Sequence, residues 1–313
     1  MNVLCSHCGA LHWSFERRSD SSKQNPEFGT CCNSGKVILR ALQDPPLGLR
    51  SLFTADDAQA KEFRINIREY NSALSFTSLG VKPNGAVLQG GGPYVFRLHG
   101  VLYHLSGSLL PEPGKAPIYS QLYIVDSGSA LAHRMTKNPS RRADTMELLQ
   151  GLLNANHRYA AIYKQAHEIL AEYPDADNAS IRLRVDPSRD QRRYNLPTAD
   201  EVAVIIPGDG EQATDGRDII LRNHQNSLQR VSDGHSAYDC LRYSLLFPYG
   251  EHGWHYDIRL LSSTENSNSR RVSQSRYYAY RIHSRPNEFS TILHGGRLFQ
   301  EFLVDKFAGI DQN

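Results

Sequence analysis

The sequence contains no long apolar run, no recognisable signal peptide and no strong excess of either charge. No uncharged apolar stretch approaches the roughly 20 residues of a membrane-spanning helix. The first residues, MNVLCSHCGA, lack the apolar core of a signal peptide. The net charge of the 313 residues is only +2, so overall charge does not indicate a nucleic-acid partner. We therefore expect an intracellular protein in a reducing compartment, in which any binding surface is made by local clusters.

Composition and local patterns indicate the class of fold. Hydrophobic residues make up 40% of the chain and charged residues 22%, which is typical of globular proteins. Short β-branched runs predict strands, and apolar residues spaced three and four apart predict helices. We predict an α+β fold of mixed strands and helices, with a small zinc-knuckle-like module at the N-terminus. Strands are predicted at residues 94–105 (a hairpin), 117–126, 180–186, 201–207, 217–222 and 228–231, and helices at residues 61–74, 145–153, 158–173 and 297–310.

Four of the five cysteines lie within the first 32 residues, and in a reducing compartment such crowding favours a metal over disulfides. Cys5 and Cys8 are separated by two residues, which is the spacing of a zinc knuckle. Cys31 and Cys32 are adjacent, so both can bind one ion only if the chain turns tightly beside them. If only one of the two binds, His12 is the natural fourth ligand. The sequence therefore predicts a structural zinc site, and the alternative is buried or redox-sensitive thiols without a metal.

A second pattern concerns nucleic acid. The segment between Glu265 and Glu288 contains five arginines, three interleaved tyrosines and no acidic residue. A single-strand binding surface needs basic side chains that neutralise phosphates and aromatic rings that stack on bases. The alternative is a tyrosine-rich strand with a solvated arginine face. Further basic clusters occur at residues 134–142 and 189–193. The predicted nucleic-acid contacts are Arg270, Arg271, Arg276, Tyr277, Tyr278, Tyr280, Arg281 and Arg285.

Several blocks of the chain, taken in order, resemble the N-terminal part of Helitron helicase-like proteins, which rolling-circle DNA transposons encode. They include CSHCGALHWSFE, RRYNLPTADEVA, LFPYGEHGWH, YYAYRIHSRP and GGRLFQEFLVDKFAGI, and the resemblance covers essentially the whole chain. Two positions depart from the family pattern. Ser244 stands where a proline is expected, and His157 follows Asn156 where the pattern has Asn-Pro.

The resemblance implies a zinc-finger-like region, then a nuclease with a His-x-His metal site and tyrosine nucleophiles, and then an ATP-dependent helicase. None of the 13 histidines forms a His-x-His pair, and His252 and His255 are spaced differently. The GxxxxGK[ST] loop of a helicase is also absent from the sequence. We therefore expect no catalytic residue in this chain. The implied partners are single-stranded DNA and the missing nuclease and helicase domains of the parent protein, and the implied location is the nucleus.

The predicted organisation has three parts: a Cys-rich module at residues 1–40, an α+β core at 41–265, and the start of the nuclease-bearing domain at 266–313, truncated before its catalytic motifs. The function expected is that of a non-catalytic N-terminal fragment that engages DNA through arginine and tyrosine patches. One alternative is a degenerate transposon remnant or interaction module without a DNA role. Another is a residual single-strand nuclease in which Tyr278 would be the nucleophile.

Overall fold

The computed structural model describes residues 1–79, 104–106, 108, 110–111, 114–172, 179–185, 201–207, 219–222, 229–231, 234–261 and 271–312. These residues form a mixture of helix and sheet, as the α+β prediction expects, and helix is the more abundant of the two. Among the described helices, none combines the length and the apolar character that a membrane span requires.

The described helices include 3₁₀ helices as well as α-helices. Two 3₁₀ helices, Ser14–Glu16 and Tyr119–Tyr123, accompany the α-helices. The α-helices are α1 (Leu47–Thr54), α2 (Ala58–Ile65), α3 (Ile67–Leu74), α4 (Ser127–Lys137), α5 (Ala143–Asn156), α6 (Arg158–Glu172), α7 (Tyr238–Arg242), α8 (Gln274–Arg281), α9 (Thr291–His294) and α10 (Arg297–Gln312). The helices predicted at 145–153, 158–173 and 297–310 are confirmed as α5, α6 and α10.

The described strands pair in three small antiparallel sheets, ordered β1-β2, β3-β4-β8 and β6-β5-β7. In the last sheet Ile181 lies opposite both Ile205 and Leu221, which sets its register. The strands predicted at 180–186, 201–207, 217–222 and 228–231 are confirmed with small shifts of their ends. Of the predicted hairpin, residues 94–103 lie outside the described part. The strands are β1 (Val3–Leu4), β2 (Leu11–His12), β3 (Ser78–Leu79), β4 (His104–Ser106), β5 (Ala179–Val185), β6 (Glu201–Pro207), β7 (Ile219–Arg222) and β8 (Gln229–Val231).

The helix predicted over residues 61–74 is two helices that meet at Asn66. The Asn66 side-chain amide donates to the carbonyl of Glu62 at 3.0 Å and to its carboxylate at 2.9 Å. Asparagine side chains that bond to the backbone in this way compete with continued helix. The predicted apolar face survives the break, because Phe63 and Leu74 at its two ends are both fully buried.

The strand predicted over residues 117–126 is wrong, because the chain there forms a 3₁₀ helix that leads into α4. The Gln121 side-chain oxygen accepts a hydrogen bond from the Ile118 amide at 3.0 Å and so closes the first turn. Asp126 then caps α4 by accepting from the Ser129 amide at 2.9 Å. Local side-chain bonds thus override the β-branched and aromatic pattern that favoured a strand.

The centre of the core is the segment around α7, as its apolar sequence indicates. Tyr243 and Phe247 are buried there, and both rings pack against Phe302 of α10, at centroid distances of 5.1 and 5.9 Å. Asn71 of α3 fixes the backbone of this segment by bonding to the Arg242 carbonyl at 2.8 Å. The apolar stripe of α10 is therefore mostly docked on the chain's own core, although Phe307 remains 60% exposed.

Helix α10 is also joined to the core by buried charges, which we call the buried ion network. Nζ of Lys306 lies 2.5 Å from Oδ1 of Asp239 and 2.9 Å from Oδ2 of Asp305. Nη2 of Arg242 lies 2.7 Å from Oε1 of Glu301. All five residues are at most 5% exposed. Opposite charges therefore compensate each other within the core, as buried charges require. The network consists of Asp239, Arg242, Glu301, Asp305 and Lys306.

The pairing decides the ionisation of this network. Burial alone lowers the pKa of Lys306, but the carboxylates of Asp239 and Asp305 outweigh burial and raise that pKa above its ordinary value. Burial likewise raises the pKa of Asp305, but Lys306 and the His104 ring, 3.0 Å away, outweigh it and lower that pKa. The ammonium of Lys306 is further stabilised by cation–π contacts at 4.6 to 5.5 Å from four ring centroids, those of Tyr238, Phe302, Tyr243 and Tyr278.

Contacts cross both predicted domain boundaries. The Leu11 amide of the N-terminal module donates to the Ser284 carbonyl at 2.8 Å, so the module touches the segment after α8. The ion pairs of the buried network join α7 and α10, which lie on opposite sides of the predicted boundary at residue 265. The three predicted parts therefore share contacts within the described structure.

Candidate metal centre and basic surface

Four cysteines from two short segments of the chain come together near the N-terminus. The sulfurs of Cys5, Cys8, Cys31 and Cys32 all lie within 4.8 Å of one another. Two of the separations are 3.7 Å (Cys5 to Cys32) and 3.8 Å (Cys31 to Cys32). A tetrahedral ion with metal–sulfur bonds of about 2.3 Å would hold its sulfurs about 3.8 Å apart. The cluster could therefore bind one metal ion with little rearrangement.

The first half of the cluster is a tight turn between β1 and β2. The Cys5 amide donates to the Ala10 carbonyl at 2.8 Å, and the Gly9 amide donates to the Cys5 carbonyl at 2.9 Å. Gly9 has a φ of 69°, a left-handed conformation that favours glycine. The turn brings Cys8 back beside Cys5, which is the arrangement that the two-residue spacing predicts.

The second half explains how two adjacent cysteines both join the cluster. Asn33, Ser34 and Gly35 have φ values of 52°, 54° and 80°, so three successive residues adopt the left-handed conformation. The chain consequently reverses immediately after Cys32. The Gly35 amide then donates to the Cys32 sulfur at 3.2 Å. The tight turn that the sequence requires for joint binding is present.

The electrostatic surroundings favour a thiolate at Cys8. A hydrogen bond from the Cys31 thiol is the main cause that lowers the pKa of Cys8 to about 4, with further bonds from the Ala10 amide and Arg285. The same hydrogen bond raises the pKa of Cys31, which donates it to Cys8, while burial raises the pKa of Cys32 to about 12. Binding of a dication by the sulfurs would release the thiol protons that remain.

His12 lies outside the group of four sulfurs. Its Nδ1 is 2.8 Å from Oε2 of Glu16, and its ring stacks on Phe28 with centroids 4.0 Å apart. The ring is fully buried. With Cys31 and Cys32 both in the cluster, a fourth ligand from His12 is not needed, and His12 instead anchors the 3₁₀ helix after β2.

The three tyrosines predicted to stack on bases lie inside the protein. Tyr277, Tyr278 and Tyr280 are between 2% and 6% exposed. Their hydroxyls donate to the His252 carbonyl (3.0 Å), the Asp239 carboxylate (3.1 and 3.2 Å) and a backbone carbonyl at residue 39 (3.1 Å). The segment is a helix, α8, and not the strand of the alternative interpretation. In this arrangement the tyrosine rings hold α8 to its neighbours and present no open face to a base.

Arg285, another predicted nucleic-acid contact, belongs to the cysteine cluster. It is 8% exposed, and its guanidinium lies over the Tyr280 ring at 3.8 Å. Nε donates to the Cys8 carbonyl at 3.0 Å, and Nη2 lies 3.7 Å from the Cys8 sulfur. A positive charge at this position stabilises a thiolate-rich site. Arg270 lies outside the described residues.

The remaining predicted arginines lie on the surface beside the cluster. Arg271 is exposed and pairs with Arg259, also exposed, in an isolated antiparallel bridge. Two residues beyond Arg259, the Leu261 amide donates to the Lys36 carbonyl at 2.8 Å. The bridge and this hydrogen bond join the backbones of three separate segments that each carry exposed cations.

Two more of the predicted arginines belong to α8. Arg276 is exposed, and Arg281 is partly exposed at the end of the helix. Nη1 of Arg281 donates to the Arg40 carbonyl at 2.5 Å, which ties the helix to the end of the N-terminal module. We call the set of six cations on these adjoining segments the basic ridge. Its members are Lys36, Arg40, Arg259, Arg271, Arg276 and Arg281.

The other predicted basic clusters do not extend this surface within the described residues. Arg134 is 1% exposed, and its Nε donates to the Ala73 carbonyl at 3.0 Å while its guanidinium lies over the Tyr123 ring at 5.1 Å. It is a core residue and not part of a solvated loop. The cluster at residues 189–193 lies outside the described part of the chain.

Two exposed aromatic residues were not predicted as functional. Trp13 is 49% and Phe15 is 81% exposed, on the 3₁₀ turn directly after β2. A Trp and a Phe in a short loop with no apolar periodicity are the sequence signal that marks them. Among the described residues, the one grouping of three or more potential metal ligands is the four-cysteine cluster.

A scan against protein-family models and a search of curated proteins find no match for this chain. The resemblance to Helitron helicase-like proteins therefore stays a prediction. The functional case depends on the cysteine cluster and on the basic ridge beside it.

Proposed function

We propose that this chain is a zinc-stabilised, non-catalytic DNA-binding region of a Helitron-type rolling-circle transposon protein, located in the nucleus. It binds single-stranded DNA by neutralising phosphates along the basic ridge. Strand cleavage and ATP hydrolysis belong to the nuclease and helicase parts that the sequence resemblance implies. The tyrosines of α8 position the ridge from within the core.

The observation that carries the proposal is that three segments joined by hydrogen bonds carry six exposed or partly exposed cations. Helix α8 contributes eight residues, or about 12 Å of length at 1.5 Å per residue. Arg271 lies just before α8 and Arg281 at its end, so the cations are spread over the length of the helix and do not surround a single point. Cations spread in this way suit a phosphate backbone, whose charges repeat along its length.

Zinc is the metal that best suits the cysteine cluster. Four thiolates in a tetrahedral arrangement are the ligand set of structural zinc sites, and such sites leave no open position for substrate. The ion would be held by Cys5, Cys8, Cys31 and Cys32, with Arg285 beside Cys8 offsetting the excess negative charge. Its role would be to join the two turns and so to place Lys36 and Arg40 on the ridge.

The test is a titration of a labelled single-stranded oligonucleotide, followed by fluorescence anisotropy over a series of salt concentrations. The affinity should fall steeply with salt, because phosphate neutralisation releases counterions. Replacing Arg271 and Arg276 with Gln should weaken binding and reduce the slope of log K against log salt by about 1.4 for two lost contacts. Lys137→Gln with Lys164→Gln removes the same charge from exposed positions of α4 and α6, which contribute no residue to the ridge, and serves as the control.

Equal losses in the ridge variant and the control would show that only net charge matters and would contradict a specific ridge. Failure of the wild-type chain to bind any oligonucleotide at low salt would reject the DNA role and favour an interaction module or a transposon remnant. Metal-dependent cleavage of the oligonucleotide that stops in Tyr278→Phe would instead support the residual nuclease.

A further inference from the structure

We propose that Trp13 and Phe15 form a stacking platform for unpaired bases of the strand that the basic ridge holds. This inference rests on the proposed function and adds to it the residues that contact bases. The ridge supplies charge along the backbone of the nucleic acid, but a sequence-tolerant single-strand site also needs exposed aromatic rings. The tyrosines of α8 do not supply them, because all three are buried.

The geometry of the two rings suits flat partners. Their planes are within 6° of parallel, and their centroids are 6.4 Å apart. Closely stacked parallel pairs in the same protein, such as Phe76 on Tyr123, have centroids 4.0 Å apart. Trp13 and Phe15 are therefore parallel without covering each other closely, and both remain highly exposed. Their faces are open to a planar group.

The platform is held by the module that carries it. The carboxylate of Glu16 accepts the Trp13 amide at 3.2 Å and also contacts the buried His12 ring at 2.8 Å. These bonds close the 3₁₀ turn, so the two aromatic side chains extend from a backbone that hydrogen bonds hold in place. Ordering the platform in advance lowers the conformational entropy that binding would otherwise cost.

One backbone contact places the strand before the platform beside the end of the ridge. Trp13 directly follows β2, whose Leu11 amide is bonded to the Ser284 carbonyl, three residues beyond Arg281 of the ridge. Arg17 follows the platform on the other side, where its Nη1 donates to the carbonyls of Arg18 and Ser21. A strand that runs along the ridge can thus reach the two rings with its phosphates still facing cations.

Other exposed aromatic side chains fit less well. Within the described part of the chain, Phe307 is the remaining aromatic residue that is more than a third exposed. It lies alone on α10, with no parallel neighbour among the ring contacts of the described residues. A duplex is also a poor occupant, because its base faces are stacked within the helix, whereas every unpaired base offers a free face. The platform therefore selects single strands.

The experiment uses the fluorescence of Trp13 in the full chain with its metal bound. The chain has two tryptophans, and the other, Trp254, is 7% exposed with its Nε1 donating to the Val272 carbonyl at 2.8 Å. Single-stranded oligothymidylate should quench the emission of Trp13, and a duplex of equal length should not. Trp13→Ala with Phe15→Ala should weaken single-strand affinity at least about fivefold, since each stacked base contributes about 1–3 kcal/mol.

The control variants separate stacking from charge. Trp13→Phe should lose the quenching but keep most of the affinity, because a ring remains. Phe307→Ala should change neither. The Trp13/Phe15 double variant should keep the wild-type salt dependence, whereas the Arg271/Arg276 variant should keep the quenching at saturation. Unchanged metal content in each variant would show that the module is still folded.

The failures can be told apart. Full affinity and the normal salt dependence in the Trp13/Phe15 double variant would overturn the platform while leaving the proposed function intact. Equal quenching by the duplex would also overturn it. No binding of oligonucleotide by the wild-type chain would reject the proposed function itself. Selective loss of binding to a protein partner in the double variant, with DNA affinity unchanged, would identify a protein-docking surface instead.

Discussion

The N-terminal module and the layer of α7, α8 and α10 hold their chain segments together in opposite ways. In the module, four sulfurs converge into a group that could bind one metal ion. In the helical layer, Lys306 and Arg242 lie against the carboxylates of Asp239, Asp305 and Glu301, and Arg68 also pairs with Glu301. One region therefore offers a site for a cation from solution, and the other contains both signs of charge within its own sequence.

The comparison separates what each region needs in order to fold. A metal-dependent module can be lost or restored by changing free metal, whereas a buried network responds only to mutation or to pH. Helix α8 touches both regions. The Tyr278 hydroxyl bonds to Asp239 of the network, and Tyr280 lies against Arg285, which faces Cys8. Helix α8 is therefore where disturbance of one region would reach the other.

The largest expected effect is removal of the metal. A chelator, or Cys32→Ser, should unfold residues 1–40 while α7 and α10 keep their structure, because metal binding provides folding free energy for such modules. Metal analysis should find one ion per wild-type chain, and hydrogen exchange should locate the loss. The control is Cys240→Ser, since this cysteine is buried outside the cluster. Full protection of residues 1–40 after chelation would contradict the comparison.

The next effect comes from the buried ion network. Lys306→Met should lower the free energy of unfolding by about 3–5 kcal/mol, because two buried carboxylates lose their partner. Urea denaturation measures the change. Lys137→Met, at an exposed position, should stay within about 0.5 kcal/mol of wild type. The double variant of Lys306→Met with Asp239→Asn should lose less than the sum of the single losses. Additive losses would argue against a coupled network.

The third effect concerns pH. Burial is the main cause that lowers the pKa of His157 from 6.5 to about 3. As the pH falls, this histidine is therefore protonated in the unfolded chain before it is protonated in the folded chain. The stability from this group is present above pH 6.5 and is lost as the pH falls toward 3. This group contributes at most about 1.4 kcal/mol per pH unit to the slope of the free energy of unfolding against pH. His157→Gln should flatten the measured slope by up to that amount, and His133→Gln, at a partly exposed position, should not.

The smallest effect tests the helix that touches both regions. Ser273 caps α8 by accepting from the Arg276 amide at 3.4 Å, so Ser273→Ala should lower the free energy of unfolding by about 1 kcal/mol. Ser275→Ala, two residues later at an exposed position inside α8, should be neutral or slightly stabilising. Thermal melts with and without chelator would show whether the loss spreads to the module. An equal loss in both variants would contradict the cap.

Several features of the site could be predicted from local sequence. The spacing of Cys5 and Cys8 with Gly9 indicates a knuckle, and the need for a tight turn after Cys32 follows from two adjacent cysteines. Both depend on residues within a few positions of each other. Local sequence could not decide which of Cys31, Cys32 and His12 complete the metal site. That choice depends on whether the three residues after Cys32 adopt positive φ angles.

The predicted nucleic-acid residues show the limit of composition. Arginines and tyrosines alternate along α8, and nothing local says which face of the helix docks. The partners that bury the tyrosines are Asp239, His252 and the backbone at residue 39, all distant in sequence. Arg285 was likewise predicted as a nucleic-acid contact because its neighbours in sequence are basic and aromatic. In the structure it faces Cys8, which is 277 residues away in sequence.

The sequence by itself determined several elements, such as β6, α5 and α10, and the approach of Cys5 to Cys8, because hydrophobic period and turn chemistry act over a few residues. The tertiary structure alone decided that four thiols share one site, that α8 turns its tyrosines inward, and that Trp13 and Phe15 stay exposed. Those outcomes depend on packing and charge compensation between segments from 25 to 241 residues apart, and no local pattern records them.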